Sequence, residues 1–415
     1  MPDASYPIFH RTTLPNGIRV VSERIPSVRS IAVGAWLAAG SRDEAPQDNG
    51  ISHFIEHMVF KGTQRRRTHH IAQRMEAVGG YLNAFTSKEY TCYYARALDE
   101  HLERALDVVL DLVVSPTLPE REVEKEKEVV VEEMKMYEDA PEDLIFDKFE
   151  AVLYPHHALG RPVLGVPETV RSFTRERLFD YIDDHYAPNR LVVAVAGNVD
   201  HETVVRYVRR MTADLEREPQ PVERSSANGY DAEELFEHRP IQQAHLVMGT
   251  RSPGLNDERR TVLTTLNTLL GGGMSSRLSQ NIREKYGYCY NIYSFTNMLA
   301  DTGDFGVYMG TDASKVERSR KLIGRELDKL VQKPVSPRAL NQAKNQLKGS
   351  LMLGLESMSN RMMRLGRIEL AFGRYFTLDE VIASIDEVTA EEVQDLAAEL
   401  FDPARLSTVA ILPEA

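Results

Sequence analysis

The sequence predicts an α+β protein built from two homologous halves, each an α/β sandwich-like unit of mostly antiparallel sheet with helices packed on it. Three observations carry this. Strand-like and helix-like patterns alternate through all 415 residues, a length more natural for two domains than for one. Residues 216–228 have no periodicity and hold two prolines, as a linker does. The end of each half repeats: Tyr186-Ala187-Pro188-Asn189-Arg190-Leu191 matches Phe401-Asp402-Pro403-Ala404-Arg405-Leu406 at an offset of 401 − 186 = 215. The helix starts Thr174-Arg175-Glu176 and Thr389-Ala390-Glu391 keep that offset, and an apolar strand follows each closing segment. The expected division is 1–215, a linker at 216–230, and 231–415.

The elements follow in order. Pro15-Asn16-Gly17 marks a hairpin over residues 12–24, and residues 30–38 form a second strand. A polar loop, 41–50, leads into a short helix around Ser52-His53-Phe54-Ile55-Glu56-His57-Met58. Thr68 caps the next helix, which Gly79-Gly80 stops. Residues 81–97 read as two strands, 99–114 as an apolar-faced helix, and 120–137 as a strongly charged helix. Helices at 142–153, 174–185 and 202–215 surround a buried strand at 191–196. Past the linker, strands fit 244–248, 288–295 and 305–309, and helices fit 257–270, 274–285, 315–331 and 337–355, with shorter helices beyond.

Composition excludes several classes. Hydrophobic residues make up 42% and charged residues 27%, as in soluble globular proteins. A net charge of −12 argues against a nucleic-acid partner, which selects a basic face. Cys92 and Cys289 give no disulfide framework. Met1-Pro2-Asp3-Ala4-Ser5-Tyr6 lacks a basic region before an apolar core, so no signal peptide is expected. No apolar run approaches the ~20 residues that span a bilayer. The expected setting is cytoplasmic, with no membrane partner.

The chemistry centres on H-x-x-E-H. On a helix His53 and His57 stand at i and i+4, so both imidazoles project from one face and can hold one metal. Glu56 sits beside that metal, placed to take a proton from a bound water. Phe54, Ile55 and Met58 make the helix mostly apolar, so its ionisable groups are partly buried and need partners. Catalytic zinc takes three protein ligands and a water, so a third ligand comes from elsewhere. The charged helix offers Glu126 and Glu133, seven positions apart and therefore on one face, with Val129 and Val130 near it. One of the pair ligates, while the other accepts a hydrogen bond from a ligand histidine. The adjacent pairs His69-His70 and His156-His157 point apart and make poor clamps.

These residues resemble the pitrilysin/insulinase-type inverted-motif zinc metallopeptidases, and most closely their mitochondrial processing peptidase-like bacterial branch. His53-Phe54-Ile55-Glu56-His57 matches the family motif, and Glu133 falls 133 − 57 = 76 positions on, at the spacing of that branch's third ligand. Glu126 matches the family's glutamate behind the ligands. Gly40-Ser41-Arg42-Asp43-Glu44, Phe60-Lys61-Gly62-Thr63 and Asn83-Ala84 also look like family segments. Arg283 and Tyr290, 290 − 283 = 7 apart, resemble the pair by which the second half completes the site. The resemblance implies a clam-like chamber, one Zn2+ per chain held by His53, His57 and Glu133, and Glu56 as general base. It further implies extended peptide substrates paired along Asn83-Ala84-Phe85, and a homodimer. The expected function is a zinc endopeptidase acting on peptides or unfolded segments. The alternative is a noncatalytic core subunit of a processing or respiratory complex; such relatives lose ligands that this chain retains.

Overall fold

The computed structural model describes residues 8–215, 217 and 223–414; residues 216 and 218–222 of the expected linker lie outside these. The first half of the chain holds β1 (Ile8–Thr13), β2 (Arg19–Arg24), β3 (Ser30–Leu37), α1 (Ile51–Val59), α2 (Thr68–Glu76), β4 (Tyr81–Thr86) and β5 (Thr91–Leu98). It continues through α3 (Leu102–Val114), α4 (Glu120–Glu138), α5 (Pro141–Leu153), α6 (Pro167–Ser172), α7 (Arg175–His185), β6 (Leu191–Gly197) and α8 (His201–Met211). The second half holds β7 (Glu234–Arg239), β8 (Ala244–Ser252), α9 (Arg260–Gly271), β9 (Cys289–Met298), β10 (Gly303–Thr311) and α10 (Val316–Gln332). It ends with α11 (Pro337–Gly354), α12 (Met358–Phe372), α13 (Leu378–Glu387), α14 (Ala390–Leu400) and β11 (Ser407–Pro413).

Three local expectations change. Thr68 is the first residue of α2 and not its cap, because its hydroxyl donates to the Lys61 carbonyl at 2.8 Å. The helix expected at 274–285 is π-helical over Ser279–Glu284 and ends where Gly287 turns to φ +62°. Strand β7 had no pattern to announce it: Leu235 and Phe236 are exposed, and parallel pairing with β11 holds it in place.

The duplication is visible in the sheets. One has the order β1-β2-β6-β3-β5-β4 and the other β7-β11-β8-β10-β9. Without β1 the two are the same: a parallel pair, β2 with β6 or β7 with β11, followed by antiparallel neighbours. Strands β2 and β7 begin 234 − 19 = 215 residues apart, and helices α7 and α14 begin 390 − 175 = 215 apart.

The compact units are not contiguous in sequence. One draws on Met1–Met134, Pro162–Arg224 and Gly354–Tyr375; the other on Lys135–Arg161, Ser225–Leu353 and Phe376–Ala415. They therefore differ from a single division at 216–230. In the first unit, Val20, Val33 and Val193 pack one sheet face onto α1, α3 and α8. Val21, Ala32, Trp36 and Val192 turn the other way, against Met362 and Leu365 of α12. Full burial of each such α12 side chain is worth about 1.5–3 kcal/mol. Contact is close because Gly366 has no side chain: a Cβ there would lie 2.2 Å from Trp36 Cε2. In the second unit, Leu246, Phe305 and Val307 face α9, α10 and α14, while Val247, Tyr308 and Val409 face α5 through Ile145 and Phe149. Each sheet thus has one face covered by a helix from the other half of the sequence.

Candidate metal centre

Helix α1 starts at Gly50, whose φ of +93° suits glycine, and a Cβ there would meet the Leu164 carbonyl oxygen at 2.6 Å. Glycine cannot cap with a side chain. The buried carboxylate of Glu44 serves instead, accepting the N–H of Gly50 at 2.8 Å and of Ser52 at 2.9 Å. It satisfies two free donors and brings an acceptor to the positive end of the helix. Burial pushes the Glu44 carboxyl up to about 7, against the pull of these donors.

Phe54, Ile55 and Met58 are fully buried, and His53 and His57 share the remaining face with ring centroids 4.6 Å apart. Helix α4 brings Glu126 and Glu133 to them. Val130, between these two, is buried as expected. Val129 is 50% exposed, because it stands on the opposite flank of that face, about 100° round the helix from Val130 and away from the buried Val123, Val130 and Met134.

The two glutamates meet different atoms. Glu126 Oε1 lies 2.9 Å from His57 Nδ1, and its Oε2 lies 2.7 Å from Lys61 Nζ. Glu133 Oε2 lies 3.4 Å from His57 Nε2 and 3.8 Å from His53 Nε2. Ligand atoms of His53, His57 and Glu133 all fall within 4.8 Å of one another. Tetrahedral ligands about 2.1 Å from one ion stand about 3.4 Å apart, so the set fits zinc. Apart from its approach to the two histidines, Glu133 Oε2 is moreover buried with no hydrogen-bond partner, as an atom facing a cation would be.

Electrostatics separate the two histidines. Burial, reinforced by His57, lowers His53 to about 4. For His57, burial acts downward, but hydrogen bonding to Glu126 and Glu133 prevails and raises it to about 9. Glu126 is held low despite burial, by His57 and Lys61, and Glu133 is held low chiefly by His57. Burial raises Glu56, while a hydrogen bond from Thr86 Oγ1 to its Oε2 at 2.6 Å opposes the rise.

Asn83, Ala84 and Phe85 lie on β4, the edge strand beside this site. Asn83 holds the N–H of Ala84 at 2.8 Å, and Phe85 packs edge-on to Trp36. Arg283 and Tyr290 belong to the second unit. The Arg283 guanidinium donates to Glu284, and Tyr290, near the start of β9, is 94% exposed. The His69 and His70 rings pack on each other, and neither joins a metal-type cluster among the described residues. Sequence reasoning assigned no role to Glu44, Lys61 or Thr86. Lys61 was within reach of it, four positions past His57, and so was Glu44, six positions before Gly50; Thr86 acts across the fold with no local signal.

No α-helix among the described residues is long and apolar enough to cross a membrane. Residues 19–166 match the family described as Insulinase (Peptidase family M16), and residues 172–347 match the Peptidase M16 inactive domain. The chain is 43% identical to an uncharacterized zinc protease of Bacillus subtilis, over 95% of this chain and 96% of that one. It is equally 43% identical to an uncharacterized zinc protease of Streptomyces coelicolor, over 94% of this chain and 86% of the other. Among solved structures, a protease from Helicobacter pylori superposes with a TM-score of 0.92 at 23% identity, covering 98% of this chain and 100% of that one. With motif, duplicated fold and near full-length relatives in agreement, the chain belongs to the insulinase family of peptidases, M16.

Proposed function

We propose that this protein is a zinc-dependent endopeptidase acting on peptides or unfolded segments, with one zinc ion per chain held by His53, His57 and Glu133. The observation that carries the reading is the convergence of three donor atoms within 4.8 Å beside Glu56, with Glu126 at hydrogen-bond distance from His57. Zinc bound there would supply a Lewis acid for the scissile carbonyl and the attacking water. Glu56 takes the proton of the attacking water and returns it to the leaving amine, a double role suited to a carboxyl raised by burial. Glu126 fixes the orientation of His57 by holding Nδ1. The free edge of β4 offers backbone groups to an extended substrate, with Asn83, Ala84 and Phe85 as its contact residues. Arg283 and Tyr290 donate hydrogen bonds to the developing oxyanion, a role supported by the family resemblance. An enclosed chamber, a homodimer and a cytoplasmic setting complete the reading. The inactive-domain match covers residues 172–347, which do not include the motif, and so does not favour a noncatalytic subunit.

The test compares wild type with Glu56→Gln for zinc content and cleavage of a peptide mixture. The variant keeps zinc and loses about 100-fold or more of its activity, the weight of a general base. An active variant, or a wild type that takes up no zinc, sinks the proposal.

A further inference from the structure

We infer that Thr86 is a positioning residue that aims Glu56 from the edge strand, tying the orientation of the base to the strand offered to substrate. The inference rests on the peptidase reading above.

Glu56 sits on α1 between the two histidines, and its helix alone does not fix where the carboxylate points. Thr86 Oγ1 donates to Glu56 Oε2 at 2.6 Å, which leaves Oε1 for proton transfer. The hydroxyl is itself well fixed. Thr86 closes β4 opposite Thr91, and its β-branched side chain has few rotamers. The next two carbonyls, of Ser87 and Lys88, accept the N–H groups of Ser41 at 3.1 Å and Arg42 at 2.7 Å. That approach requires Gly40, where a Cβ would stand 2.4 Å from the Ser87 oxygen. The same short segment carries Glu44, which holds the start of α1 at Gly50 and Ser52. A closed circuit of hydrogen bonds and short chain segments therefore runs from the beginning of α1, through residues 40–44, to the two residues past β4, and back through Thr86 to the base on α1. A hydroxyl suits this place because it orients the carboxylate without adding a charge beside the metal ligands. Valine would keep the shape and remove the bond.

The experiment measures kcat, KM and zinc content for wild type, Thr86→Val and Thr86→Ser on one peptide that wild type cleaves. Thr86→Val is expected to keep zinc and a KM within about twofold while kcat falls about 10- to 100-fold, the weight of one hydrogen bond to a charged group. Thr86→Ser restores kcat to within about threefold, since it restores the donor. Should Thr86→Val fail to fold, Thr86→Ala is held to the same criteria. The inference is overturned if the hydroxyl-free variant turns over like wild type, if only KM moves, or if serine does not rescue a zinc-loaded enzyme. A wild type that binds zinc and cleaves nothing removes the peptidase reading, and this inference with it.

Discussion

The carboxylate of Glu44 accepts the backbone N–H of Ser52 at 2.9 Å, so the residue immediately before the first histidine of the motif is held by a side chain from the preceding loop. The motif helix is thereby fixed at its start by a buried acid that forms no part of the motif.

That acid gives the fold a pH dependence. Burial places Glu44 at about 7 in the folded state against 4.5 for the free side chain. The folded state therefore holds the proton more tightly between these values. The corresponding stabilisation is complete below 4.5 and is lost as pH rises through about 7. Glu44→Gln cannot titrate. The difference in unfolding free energy, wild type minus variant, is expected to shrink by roughly 3 kcal/mol between pH 4 and pH 8. Urea denaturation of both proteins at the two pH values checks this, and a pH-independent difference would refute it.

Lys61 reaches the zinc ligands through Glu126. Its ammonium holds Glu126 Oε2 at 2.7 Å and keeps that carboxylate charged and oriented toward His57. Lys61→Met should weaken zinc binding about tenfold, the lower end of the range for groups behind a ligand. Competition with a chromophoric chelator reads the affinity directly. Unchanged affinity would leave Lys61 with no part in the site.

Two glycines on helices should respond in opposite directions. Gly366 of α12 has no room for a methyl group, with Trp36 Cε2 at 2.2 Å from the Cβ position, whereas Gly349 of α11 has nothing within 4 Å. Gly366→Ala is expected to cost about 1–3 kcal/mol by overpacking. Gly349→Ala should gain about 0.5–1 kcal/mol by restricting the unfolded chain. Thermal melts of the two variants decide it, and a stable Gly366→Ala would show that α12 is free to shift on its sheet.

Where the sequence was legible, the information was local or repeated. His53 and His57 fall on one face by helix geometry alone, and the offset of 215 that aligned the closing segments also aligns β2 with β7 and α7 with α14. Strand β7 was not legible, because its partner β11 lies far along the chain and its apolar side chains, Leu235 and Phe236, are exposed. The boundaries of the compact units were hidden for a related reason. Helices α5 and α12 carry ordinary apolar stripes, which say that they must be buried and not upon which sheet.

The sequence by itself determined a duplicated α+β chain, a two-histidine helix with a glutamate beside it, and a second helix presenting Glu126 and Glu133 on one face. Helical periodicity and repeat register are local properties, and they needed no fold to be read. Only the tertiary structure decided which nitrogen each glutamate meets, that Lys61 and Thr86 hold Glu126 and Glu56, and that Glu44 secures the start of α1. Those contacts join atoms from separate elements at hydrogen-bond range, and only the packed chain brings such atoms together.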